Sequence, residues 1–177
     1  MNREIVVSVV GANRPGLVDT LSACLLAHGA NWTESRMARM ADRFAGVVRV
    51  SVSEANSADL IAALEMISEP GLYVYAETAR EVTPDENACH LELTFTGRDR
   101  PGIVHAVTRA LADFGISIDE FETRSQGGAW GDGAMFDARA MLSAPEVVDV
   151  QALRRAVEAV SPGMLVTVHA FSRDRDD

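Results

Sequence analysis
The chain has 177 residues, 47% of them hydrophobic, 24% charged and 6% aromatic, which excludes a disordered or collagen-like polymer and leaves material for one medium core or two small ones. Its 26 acidic and 16 basic residues give a net charge of -10, divided evenly about Glu86, so a phosphate backbone is repelled and direct nucleic-acid binding is not expected. Every basic residue is Arg, and with no Lys the chain cannot supply a Schiff base, a Ser-Lys dyad or a P-loop.

The first element expected is a strand, Glu4 to Val10, rich in Ile and Val. It is too short and wrongly flanked for a signal peptide, and no run approaches the ~18 apolar residues of a membrane span, so a cytoplasmic protein away from membranes is expected. After the turn Asn13-Arg14-Pro15-Gly16 the apolar period becomes helical through Leu17, Leu21, Leu25 and His28, with Asn13 as the expected N-cap and Gly29 as the left-handed C-terminal residue. Strands follow at Trp32 to Met40 and Phe44 to Val52, joined by a short turn at Ala41 and Asp42. A second amphipathic helix runs through Leu60, Leu64 and Ile67 to Pro70-Gly71, and a strand at Leu72 to Ala76 completes the set.

The same series then repeats. Gly11-Ala12-Asn13-Arg14-Pro15-Gly16-Leu17-Val18 returns 86 residues later as Gly97-Arg98-Asp99-Arg100-Pro101-Gly102-Ile103-Val104, five of the eight positions being identical. Leu25, Gly29 and Glu34 pair with Leu111, Gly115 and Glu120 at that offset. In the second copy a strand around Leu91, Leu93 and Phe95 leads through Asp99, the second expected N-cap, into a helix carrying Ile103, Val107 and Leu111. Strands at Ile118 to Arg124 and Ala134 to Leu142, a helix through Leu153, Val157 and Val160, and a strand at Leu165 to Phe171 follow. The acidic, Pro84-containing stretch between the copies reads as a linker. The expected organisation is a first domain at 1–80, a linker at 81–87 and a second domain at 88–173.

The order βαββαβ, taken twice, implies an α+β protein of two ferredoxin-like domains, each a four-stranded antiparallel sheet with two helices on one face. The strand-turn-helix signature Asn13-Arg14-Pro15-Gly16-Leu17, with Asn31 opening the second strand, resembles the ACT domain, a ligand-sensing module of amino-acid metabolism, and the first copy resembles it more closely than the second. The resemblance covers roughly residues 4 to 172. It implies a binding site for a free amino acid such as glycine or serine, with Asn13 and Asn31 at the positions that contact ligand in serine-sensing members. Those members have a His where this chain has Gly11.

The chemistry of the turn agrees with that expectation. A carboxylate needs backbone N–H donors, which a turn before a helix N-terminus supplies, and the helix dipole favours an anion there. The candidate ligand-binding residues are therefore Asn13, Arg14, Pro15, Gly16, Leu17, Asn31 and Trp32 in the first copy, and Asp99, Arg100, Pro101, Gly102 and Ile103 in the second. Asp99 would repel a ligand carboxylate, making the second pocket the poorer. Capping and turn preferences alone would also account for these residues.

Cys24 and Cys89 lie apart from other ligands and read as small buried hydrophobes, so no metal or cofactor is expected. The Gly-rich stretch from Gln126 to Gly133 joins two strands and reads as a hairpin tip, not a phosphate cradle. Glu34 and Glu120 read as strand-surface residues, and the four His residues share no carboxylate or Cys at catalytic spacing. The reading that results is a non-enzymatic sensor acting through a protein partner such as a transcriptional activator, as a homodimer whose two repeats pack closely. The alternative is a structural interaction module with vacant ligand sites.

Overall fold
A computed structural model describes residues 1–67, 71–80, 88–127 and 133–171. The chain divides into two compact units, Met1–Val82 and Thr83–Asp177. The linker expected at 81–87 and the tip of the Gly-rich hairpin lie outside the described residues.

In the first unit β1 (Asn2–Ala12), α1 (Leu17–Ala27), β2 (Asn31–Met40), β3 (Arg43–Ser53), α2 (Glu54–Glu65) and β4 (Leu72–Thr78) follow in order, and the sheet runs β2-β3-β1-β4, all antiparallel. The second unit repeats this with β5 (Cys89–Arg98), α3 (Ile103–Asp113), β6 (Ser117–Gln126), β7 (Met135–Ala144), α4 (Val150–Glu158) and β8 (Leu165–Phe171) in the order β6-β7-β5-β8. The two βαββαβ repeats expected from the sequence are present. The expected strands are one to three residues short at several ends, because Ser, Thr and Gly flanks that weaken a strand pattern still join the ladders.

Alternation puts Ile5, Val7 and Val9 of β1, with Val48, Val50 and Val52 of β3, on the helix side of the sheet, all essentially buried. Helix α1 covers them with Leu21 and Leu25, and α2 with Leu60 and Leu64. The second core has the same plan: Leu91, Leu93 and Phe95 lie beneath Val107 and Leu111 of α3 and Leu153 and Val157 of α4. Cys24 and Cys89 are half-buried at the margins of these cores rather than within them, and desolvation pushes the Cys24 thiol above its ordinary pKa.

The helix ends divide into one expectation met and one corrected. Gly29 and Gly115 are left-handed, with φ of 65° and 69°, and each helix closes with a paired bond set: Ala30 N–H to the Leu25 carbonyl, and Ile116 N–H to the Leu111 carbonyl. The N-caps are not Asn13 and Asp99. They are Gly16 and Gly102, at φ 85° and 84°, and no side chain caps either helix. The Arg-Pro pair carries the chain through two further turn residues before the helix begins, which puts Asn13 and Asp99 out of capping reach.

Candidate functional site
The turn after β1 is fixed at both ends by the strands. The Asn13 N–H donates to the Asp42 carbonyl in the β2–β3 turn at 2.8 Å, and the Ala12 N–H donates to the Gly71 carbonyl ahead of β4 at 3.3 Å. At the helix end the Gly16 carbonyl accepts from the Thr20 N–H at 2.9 Å and from the Thr20 hydroxyl at 3.1 Å. Between these anchors Asn13, Arg14, Pro15 and Gly16 are all exposed.

A helix leaves its first-turn N–H groups without intrahelical partners, here those of Leu17, Val18 and Asp19. A Cβ built on Gly16 would meet nothing within 4 Å among the described residues, so Gly16 itself borders open space at the start of the helix. Leu17 itself is 4% exposed, and its side chain belongs to the core, which confines any ligand contact to its backbone. Asp19 places an exposed carboxylate in the same first turn, opposing an anion that the dipole would otherwise favour.

The second unit builds the same turn with its polar groups already engaged. The Asp99 N–H donates to the Ala134 carbonyl at 2.7 Å, while the Asp99 carboxylate accepts from the Ser125 hydroxyl at 2.5 Å. The Arg100 guanidinium donates to the Val160 carbonyl at 2.7 Å, and the Ile103 N–H turns back to the Arg100 carbonyl at 3.3 Å. Pro101 and Gly102 are exposed, and Ile103 is 3% exposed in the core.

Asn31 and Trp32 lie elsewhere. Asn31 pairs with Ser51, which pairs with Glu4, whereas Ala12 pairs with Arg43. Eight strand residues separate the two levels, about 27 Å at the rise of an antiparallel strand. Asn31 is therefore at the opposite end of the sheet from Asn13, and Trp32 is half-buried against the core. The structure brings Asn13 to Gly16 together and does not bring Asn31 to them within one unit. What the sequence did not reveal is the contribution of Asp42 and Gly71, whose carbonyls hold the turn: they are distant in the chain and become neighbours only through strand register.

Glu34 serves the strand surface as expected, with ion pairs to Arg49 at 3.0 Å and Arg36 at 3.4 Å. Among the described residues no cluster of three or more metal-ligating side chains occurs, and no helix is long and apolar enough to cross a membrane.

Comparison with known proteins bears directly on both units. A family model described as an ACT domain matches residues 3–70, and a second ACT domain model matches residues 92–159. Over 51 residues the chain is 43% identical to a UPF0237 protein of Methanopyrus kandleri, a match that covers 29% of this chain and 57% of that one, so the chain spans little more than half of that relative's length. Among solved structures, an unknown protein from Galdieria sulphuraria aligns with TM-score 0.80 and 29% identity, over 97% of this chain and 100% of its own. A candidate glycine cleavage system transcriptional repressor aligns with TM-score 0.64 and 16% identity, over 98% and 99%.

Proposed function
For a chain that belongs to the ACT-domain family through both of its units, we propose a non-enzymatic regulatory role in which a small amino acid bound at the Asn13–Gly16 turn alters engagement of a protein partner. One observation carries this reading: the turn is exposed, its helix N-terminus has no side-chain cap, and the residue at that terminus is a left-handed glycine with no side chain to stand in a ligand's way. A ligand carboxylate is recognised by those N–H groups and the dipole, its ammonium by the Asn13 side-chain oxygen. Glycine and serine are the ligands to try first, because a relative of the same two-domain fold is a candidate glycine cleavage system repressor. With a charge of -10, any effect on transcription runs through another regulator, such as an activator held in a complex, and not through DNA contact.

The second unit favours the other reading, a structural module with a vacant site, because Asp99 is engaged by Ser125 and Arg100 by Val160. Asn31 contributes to the ligand only if another molecule of the protein presents it. The test is a thermal-shift series against the twenty amino acids, since a ligand that binds only the folded state raises its melting temperature. A rise with glycine or serine that is lost in Asn13→Ala supports the reading. No rise with any amino acid at millimolar concentration overturns it.

A further inference from the structure
The two repeats carry different side chains at one sheet position beside the turn that follows the first strand. Arg39 of β2 pairs with Phe44, which pairs with Gly11 near the end of β1; in the second unit Ser125 of β6 pairs with Phe136, which pairs with Gly97 near the end of β5. Arg39 and Ser125 are therefore repeat equivalents, at the same offset of 86 as the turn signature, and the bulges that set their registers, at Trp32/Glu34 and Ile118/Glu120, are equivalent as well. Strand alternation puts both on the helix side of their sheets, in line with Met37, which packs against the first core, and Phe121, which packs against the second.

In the second unit this position reaches the turn. The Ser125 hydroxyl donates to the Asp99 carboxylate at 2.5 Å, so a side chain as short as serine spans the gap and an arginine at the same place has reach to spare. What Ser125 meets there is a carboxylate that the chain itself supplies. In the first unit the neutral Asn13 stands where Asp99 does, and the cationic Arg39 stands where Ser125 does. The pair that closes on itself in one copy is in the other an amide beside a guanidinium, a set that a carboxylate from outside would complete.

That guanidinium is available. Arg36 and Arg49 pair with Glu34, and Arg43 lies 3.9 Å from Asp42, whereas among the described residues no hydrogen bond or ion pair engages the exposed Arg39. A guanidinium is also the side-chain group whose planar fork matches a carboxylate with two parallel N–H···O bonds. Its positive charge offsets Asp19, which otherwise opposes an anion at the start of α1.

We propose that Arg39 takes the ligand's carboxylate in the first unit, approaching it from β2 while the first-turn N–H groups of α1 approach it from the helix. The inference rests on the reading of the Asn13–Gly16 turn as an amino-acid site, and it makes a free carboxylate the group on which recognition depends.

Titration calorimetry on the full chain tests it, with glycine and serine as probes beside their carboxamides, which keep the ammonium and lose the carboxylate charge. Amide chemical shifts of Gly16 to Val18 report where each probe sits, and circular dichroism is the folding control. The unaltered protein should bind the amino acid at least about tenfold more tightly than its carboxamide. Arg39→Gln should weaken the amino acid about tenfold or more while leaving the carboxamide unchanged, and Arg39→Lys, which keeps the charge without the fork, should fall between. Full affinity in Arg39→Gln with the Gly16 to Val18 amides still shifting would overturn the role of Arg39 and leave the turn as the site. An equal loss for amino acid and carboxamide would also overturn it. No binding of either amino acid to the unaltered protein would overturn it together with the reading on which it rests.

Discussion
The Asn13 N–H donates to the Asp42 carbonyl at 2.8 Å, so the candidate ligand turn hangs on the hairpin between β2 and β3. That hairpin reverses in two residues, Ala41 and Asp42, and Ala41 sits at φ 52°, a left-handed conformation that costs a non-glycine residue about 1–2 kcal/mol. Ala41→Gly should therefore stabilise the first unit, by up to about 1 kcal/mol after the added freedom of glycine in the unfolded chain is subtracted. Denaturant unfolding measures it; a loss of stability would mean that the turn is not held as described.

Gly11 and Gly97 occupy the same place in the two repeats but have different surroundings. A Cβ on Gly11 would lie 2.9 Å from Leu72 Cδ1 and 3.2 Å from the Gly71 carbonyl, whereas one on Gly97 would be 3.5 Å from Met164 Cε, an ordinary contact. Gly11→Ala is expected to cost about 1–3 kcal/mol through overpacking. Gly97→Ala is expected to be neutral or to stabilise by up to about 1 kcal/mol. Paired unfolding curves compare them, and equal effects would contradict the difference in packing.

Asp19 tests the sign of the ligand group near α1. If a carboxylate sits at the N-terminus of that helix, Asp19→Asn removes a competing negative charge and should tighten binding about two- to fivefold at low salt, with the gain shrinking as salt is added. Titration calorimetry reads this directly. Weaker binding in Asp19→Asn would mean that the side chain contacts the ligand's ammonium and that the carboxylate lies elsewhere.

The Tyr75 hydroxyl is held above its ordinary pKa, first by the negative charge of Glu77 and then by the hydrogen bond to it. Both favour the protonated phenol, so Glu77→Gln should move ionisation back down towards the usual tyrosine range. Ultraviolet titration in a Tyr73→Phe background isolates the one group, and an unchanged midpoint would separate the two side chains.

The architecture was legible because the repeat doubles every signal. A strand or helix pattern that is ambiguous in one copy, such as the mixed run from Ser117 to Gln126, is settled by its partner from Asn31 to Met40. The turn glycines were legible as well, since Gly29 and Gly115 close their helices in the left-handed conformation that position demands. The N-caps were not. Asn and Asp are preferred there on average, yet the Arg-Pro pair displaces the helix start to a glycine whose carbonyl alone does the work. Asn31 was placed with Asn13 by resemblance, and only the register of β3 shows them at opposite ends of the sheet.

The central proposal, a small amino acid at the Asn13–Gly16 turn, is tested most directly by backbone amide chemical shifts during titration with glycine and then serine. The largest changes should fall on the amides of Gly16, Leu17 and Val18 and on the Asn13 side-chain amide, with smaller ones around Gly102, and Gly16→Val should abolish those of the first unit. Saturable shifts confined to other parts of the chain, with the Gly16 to Val18 amides unmoved, would contradict it.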